Sequence, residues 1–300
     1  MTKSRDIANS TSTLDVDGGT IKLDGNYPVG TGNVALGDTA LDNLTSGGDY
    51  NVAIGPDAMT ANTSGNRNTA LGQNSLKTNT TGARNTAIGR TTLFSNTTGN
   101  YNTGSGSEAL LSNTTGSNNT SVGYQSLQSN TTANANTAVG YQALLDNTTG
   151  DSNTAQGFSA VANNTTGTNN TGIGRDALFT NTTGSFNTAI GDSALVYSTT
   201  ASYNTSVGYQ ALYANTTGNG LASLGFQALY ANTTGSNNNA VGYKTLYSNT
   251  TGGSNTAVGD RALQANTTAS NNTAVGYQAG YNNTTGERNT FIGRDAGSNV

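Results

Sequence analysis

From residue 33 onward, apolar residues occur in short groups that return at a fixed interval, with no helical stripe and no long apolar run. The pattern Asn-Thr-Ala-(Val/Ile/Leu)-Gly, allowing substitutions, begins at Asn33 and then at 51, 68, 85, 102, 119, 136, 153, 170, 187, 204, 221, 238, 255, 272 and 289. The first interval is 18 residues and every later one is 17. One representative copy runs Asn136-Thr137-Ala138-Val139-Gly140-Tyr141-Gln142-Ala143-Leu144-Leu145-Asp146-Asn147-Thr148-Thr149-Gly150-Asp151-Ser152. The copy at 221 is the loosest, reading Leu221-Ala222-Ser223-Leu224-Gly225. Such strict register excludes insertions, which a flexible linker has no reason to exclude.

Seventeen residues are too few for a helix-pair repeat, which takes about 33 or more. They suit one coil of a parallel β-solenoid, or β-roll, in an all-β fold whose coils stack at about 4.8 Å. Fifteen or sixteen coils would then build a rod of roughly 75 Å. Thr-Ala-Val reads as a short strand. Gly occupies the fifth position of all sixteen copies, including Gly55, Gly140, Gly208 and Gly276. That predicts a corner with positive φ or close backbone approach. Asn-Thr-Thr-Gly near the end of most copies is turn chemistry. Tyr-Gln-Ala-Leu between them suits either a second strand or a single helical turn.

Two columns are predicted to form the core. The fourth position carries Val139, Ile173 and Val258, and the ninth carries Leu144, Leu178 and Leu263. The eighth, always small, would lie beside them, and the variable sixth would face water. So thin a core favours sharing among several chains. The often aromatic tenth position (Phe94, Phe179, Tyr213, Tyr230) is the expected contact between subunits. Ser105 and Gln156 break the fourth column and would act as polar layers fixing the register of the chains.

Residues 1–32 do not match the repeat and separate an N-terminal attachment segment from the solenoid of 33–300. Within it, Thr13–Gly19 and Thr20–Asn26 read as two short strands around Gly18-Gly19. Residues 1–12 are polar and read as frayed or docked onto a partner.

Composition narrows the function. The chain of 300 residues has no Cys and no His, only 9% charged residues, and a net charge of −4. Without His and Cys it lacks the commonest general base and the usual soft metal ligands. No enzyme, cofactor or metal is expected. A nucleic-acid partner would require a basic patch, and membrane insertion about 18 consecutive apolar residues; neither is present. A calcium β-roll would need recurring Gly-Gly-x-Gly-x-Asp, but the carboxylates here form no column. The Asn-Thr-Thr column (Asn79, Asn96, Asn113, Asn130, Asn147) is expected to form hydrogen-bonded Asn ladders. Glycan attachment at Asn-x-Thr and water ordering by an Asn-Thr face are the functional alternatives. The run Tyr124, Tyr141, Phe158 is expected to stabilise stacked rungs, with sugar stacking as the alternative.

The motif in residues 136–143 and 272–279 resembles the Gly-punctuated repeats of phage tail-fibre-like proteins. Asn51-Val52-Ala53-Ile54-Gly55 is similar to the shorter repeats in heads of trimeric autotransporter adhesins, and Ser4–Asn9 resembles the start of fibre-type proteins of marine phages. This resemblance implies a trimeric fibre on a virion or cell surface and a host-surface glycan or protein as partner. The period of 17 departs from that of the adhesin heads. A bacterial surface adhesin or filament subunit is the alternative, and an ice- or glycan-binding solenoid a further one.

Overall fold

The structure is a computed structural model that describes residues 14–16, 19–22, 30–45 and 47–298, the first two stretches as strand backbone only. All regular elements are β-strands, and no helix long and apolar enough to cross a membrane occurs among the described residues. Residues 1–12 lie outside them. The chain divides into two compact units, residues 1–141 and 142–300.

The first unit opens with β1 (Leu14–Val16) and β2 (Gly19–Lys22), paired antiparallel through Leu14 and Ile21. This is the hairpin expected around Gly18-Gly19. β2 also pairs antiparallel with β3 (Val34–Leu36), so the hairpin covers the edge of the first coil, the role a solenoid cap plays. One parallel strand per coil follows: β4 (Val52–Ile54), β5 (Thr69–Leu71), β6 (Thr86–Ile88), β7 (Thr103–Ser105), β8 (Thr120–Val122) and β9 (Thr137–Val139). Like residues face like residues, as Thr69, Ala70 and Leu71 face Thr86, Ala87 and Ile88.

The second unit repeats the arrangement in nine parallel strands: β10 (Thr154–Gln156), β11 (Thr171–Ile173), β12 (Thr188–Ile190), β13 (Thr205–Val207), β14 (Ala222–Leu224), β15 (Asn239–Val241), β16 (Thr256–Val258), β17 (Thr273–Val275) and β18 (Thr290–Ile292). At about 4.8 Å per rung, these nine strands stack over roughly 38 Å. Each unit is thus a parallel β-solenoid of 17-residue coils, as the period predicts.

Left-handed backbone closes each coil. The fifth-position Gly has φ of 125° at Gly55, 140° at Gly140, 133° at Gly208 and 138° at Gly276. A Cβ on Gly55 would also stand 2.7 Å from the carbonyl carbon of Gly72 in the next coil. Only glycine meets both conditions. The seventh, ninth and seventeenth residues turn the chain with φ near +50° to +60°, as at Gln210, Leu212 and Tyr203. Tyr-Gln-Ala-Leu is therefore neither strand nor helical turn but a pair of left-handed corners. Backbone bonds there run between coils: Gly72 N–H donates to Ile54 O at 2.8 Å, and Leu76 N–H to Thr92 O at 3.0 Å.

The interior corrects half of the predicted core. Leu144, Leu178 and Leu263 of the ninth column are completely buried. Val139 and Val258 of the fourth column are instead 36% and 39% exposed, and Ile173 is half-buried. Strand alternation sends the third residue inward and the second and fourth outward. The third residue is Ala138 or Ala257, at 0% exposure. A 17-residue coil encloses so little cross-section that one Leu and two small residues fill it. Gln156 is accordingly exposed and Ser105 half-buried, so neither makes a polar interior layer. Because the ninth column is buried within one chain, the thin core gives no reason to share it among chains.

The last coils vary the packing without losing it. Gly280 and Gly297 stand where other coils carry the ninth-position Leu, and Phe291 replaces the third-position Ala. A Cβ on Gly280 would lie 2.6 Å from the Phe291 ring, and one on Gly297 would also strike it. The aromatic ring fills the room of the missing leucines.

Candidate functional site

Two asparagine columns complete the interior. In the first unit, Asn68 and Asn79 each donate from Nδ2 to the Gly82 carbonyl, at 2.8 and 3.0 Å. Asn79 Nδ2 also donates to Asn62 Oδ1 at 2.9 Å, and Asn85 N–H to Asn68 Oδ1 at 2.9 Å. The second unit repeats this with Asn170 and Asn181 on Gly184 O, and Asn181 Nδ2 on Asn164 Oδ1 at 2.7 Å. The ladder predicted for Asn-Thr-Thr is present. Asn79, Asn96, Asn113, Asn130 and Asn147 are all fully buried. Their amides lie inside the coil, where a glycan cannot reach them. The following Thr also serves the stack: Thr165 Oγ1 donates to Thr182 O at 2.9 Å.

Outside, the coil presents several distinct columns. The sixth position is exposed, as predicted, and its rings stack rung on rung. Tyr124 and Tyr141 lie 5.6 Å apart in the first unit; Tyr209, Phe226 and Tyr243 follow at 5.3 Å steps in the second. Within such a stack the facing ring surfaces cover one another, and only an end ring keeps a face open to a sugar, which supports the rung-stabilising role. A second stack runs through Tyr213, Tyr230 and Tyr247 of the tenth column, at 5.1 Å steps. Tyr197 meets Tyr213 edge-on at 5.0 Å.

Charged side chains pair across coils on the sixth, seventh and tenth columns. Lys77 bonds Asp57 at 3.1 Å, Arg90 bonds Glu108 at 3.0 Å, and Arg175 bonds Asp192 at 3.1 Å. The Thr39 hydroxyl and then Lys77 hold the Asp57 carboxyl below its ordinary range. Arg175 does the same to Asp192. The Tyr197 hydroxyl, aided by burial, pushes the Tyr213 phenol up to about 12. Among the described residues, no three His, Cys, Asp or Glu side chains gather where they could hold a metal ion.

The remaining face was not singled out by sequence reasoning: the outward side of the strands. Its two columns are the second position, mostly Thr, and the fourth, mostly Val, Ile or Leu. Neither column carries a charged residue in any of the sixteen copies. The hydroxyls of Thr171, Thr188, Thr205, Thr256 and Thr273 make no hydrogen bond to any described residue. The signal was in the sequence. The fourth column ranges in size from Ser105 to Gln156 and Leu71, as an outward column can, whereas the third is small in every copy before Phe291. A scan against protein-family models finds no match, and neither does a search of curated proteins.

Proposed function

We propose that this chain is a structural segment of an extracellular fibre, of the kind that forms the shaft of a phage tail fibre and attaches to a host surface. The observation that carries the reading is the use made of the repeat. The residues that recur from coil to coil (the two Asn, the Ala, the Leu and the Gly) all serve coil stacking, so the repeated unit encodes a scaffold of defined register. A scaffold of this type gains stability by adding coils, each interacting with its neighbours. The placement on a phage tail rests on the resemblance of Asn136–Ala143 and Asn272–Ala279 to tail-fibre repeats. In this reading the half-buried tenth column, with Tyr213, Tyr230 and Tyr247, is the contact between three chains, and residues 1–32 join the fibre to other virion proteins.

Light scattering on the full chain tests the assembly. One chain is 30.3 kDa, so a trimer weighs 3 × 30.3, or 90.9 kDa. Tyr230→Ser should weaken the trimer. A monomer at every concentration, with no filaments by negative-stain microscopy, would overturn the reading.

A further inference from the structure

We propose that the outward strand face of the second unit binds ice. The proposal goes beyond the fibre reading and uses a different column of the coil.

The face is a two-dimensional lattice. Rungs repeat at about 4.8 Å, and the outward residues of one strand lie about 6.6 Å apart. The in-phase pairing of Thr171 with Thr188, and of Ile173 with Ile190, adds no offset from rung to rung. A partner that gains from every rung must repeat at the same two spacings. The surface of an ordinary folded protein does not. The prism faces of hexagonal ice come near both spacings, so a run of a few rungs stays in step with them.

Matching a crystal plane also requires a flat face. Adjacent strands normally rotate by about 20–25°. The stacked rings of successive coils in this unit turn by less than that: 2° between Phe186 and Tyr203, 4° between Tyr213 and Tyr230, 7° between Tyr230 and Tyr247, 11° between Phe226 and Tyr243, and 18° between Tyr209 and Phe226. With the in-phase strand pairing, this favours a face less twisted than that of an ordinary sheet.

The chemistry fits as well. On β11–β13 and on β16–β18, Thr paired with Val or Ile puts a β-branched side chain at both lattice points, and such side chains hold one χ1 rotamer in preference to others; Gln156 on β10, and Ala222, Leu224 and Asn239 on β14 and β15, interrupt the pattern. Methyls and hydroxyls are therefore placed before any partner arrives, which lowers the entropy lost on binding. The Thr hydroxyls are free to bond water. The uncharged face lacks the strongly hydrated groups that would disturb an ordered water layer. Thr on the thirteenth column shows the contrast, since Thr165 and Thr182 give their hydroxyl protons to carbonyls of the next coil.

A second copy of the chain suits the face less well. Two columns about 10 Å wide over about 38 Å offer roughly 400 Å². A stable interface takes about 800 Å² from each partner. Packing two such faces together would also bury the Thr hydroxyls without partners, at about 1–3 kcal/mol each.

The test uses the full chain. The folded wild type should partition into slowly growing ice, facet ice crystals, and suppress recrystallisation. Thr188→Tyr and Thr256→Tyr, which only add bulk outward, should cut the recrystallisation activity at least tenfold at an unchanged melting temperature. Thr188→Val, nearly the same in shape, covers the case in which the tyrosine variants fold poorly and should lower activity by removing one hydroxyl. Thr234→Tyr, exposed on another column, should retain it. Folded wild type that stays in the liquid, or Tyr variants as active as wild type, overturns the proposal. So does a homo-oligomer that Thr188→Tyr dissociates, because the face is then an interface between copies. The fibre reading fails separately, on the mass of the wild type and the Tyr230→Ser variant.

Discussion

Ser198 is a gap in the interior asparagine ladder, and Ser198→Asn should stabilise the second unit. Ser198 stands at the twelfth position, where the coils on either side carry Asn181 and Asn215. It is fully buried, and its Oγ has no hydrogen-bond partner. Asn181 Oδ1, buried below it, has none either. Asn215 Nδ2 donates only to Gly218 O, at 3.0 Å. Where the ladder is intact, Asn232 Nδ2 reaches both Asn215 Oδ1 and Gly235 O at 2.9 Å, and Asn249 Nδ2 reaches Asn232 Oδ1 at 2.8 Å. An Asn side chain at 198 would donate to Asn181 Oδ1 and the Ala201 carbonyl, as Asn266 does to Asn249 Oδ1 and Ala269 O. It would also accept from Asn215. Three buried hydrogen bonds contribute about 0.5–1.5 kcal/mol each. Ordering one more side chain offsets part of that, for a net gain of about 2–3 kcal/mol. In a unit of this size that raises the melting temperature by about 5–10 °C. Thermal and urea unfolding measure the gain, and amide exchange around Thr182 and Thr199 should show it concentrated there. Ser198→Ala removes one unpaired hydroxyl, worth about 1 kcal/mol at the low end of that cost, but builds no ladder and leaves Asn181 Oδ1 unpaired, so it should gain less than Ser198→Asn. Equal effects of the two substitutions, or an unchanged midpoint for Ser198→Asn, would refute the ladder as the source of stability.

Three further outcomes follow from the same geometry. Leu178→Ala should cost about 2–5 kcal/mol through the cavity it leaves, whereas Ile173→Ala, on the outward face, should cost under about 1 kcal/mol; thermal unfolding of the pair measures the inside–outside assignment directly. Gly276→Ala forces a side chain into φ of 138° and against the Gly293 carbonyl, and should cost about 3–5 kcal/mol or prevent folding, read by circular dichroism. Stability should stay level through neutral pH and decline at both ends. Asp57 and Asp192, held below 3.8, contribute stability above that pH that is lost as the pH falls below it. Tyr213, raised from 10.0 to about 12, contributes stability below pH 10 that is lost between there and pH 12. Melting temperature against pH should show the alkaline loss, and Tyr213→Phe should reduce it.

The coil was legible from the sequence because each of its corners uses a residue chosen for backbone geometry. Gly at the fifth position and Asn-Thr-Thr-Gly at the end of the copy announce turns without reference to packing. The period then fixes which residues stack, and so the Asn ladder could be read as well. The direction of each side chain could not be read so simply. The usual rule sends the largest apolar residue inward, which selects Val139 over Ala138. That rule assumes an interior with room to fill. A coil of 17 residues has almost none, so its walls stand close and the small residue faces in. Substitutions show the constraint more clearly than hydrophobicity does. Where Val161 replaces the usual Leu at the ninth position, the third residue of the next coil is Gly172, and a Cβ there would meet the Val161 side chain. Thr92 and Gly104 form a similar pair, with Thr92 Cγ2 2.5 Å from where that Cβ would stand. Such exchanges occur only between groups that compete for the same space, and they place the third, eighth and ninth columns together inside. The fourth column accepts Ser, Val, Leu and Gln without any compensating change, as an outward residue can. Its preference for β-branched apolar side chains beside Thr is therefore not a packing requirement of the coil. A pleated, half-buried strand itself favours such side chains.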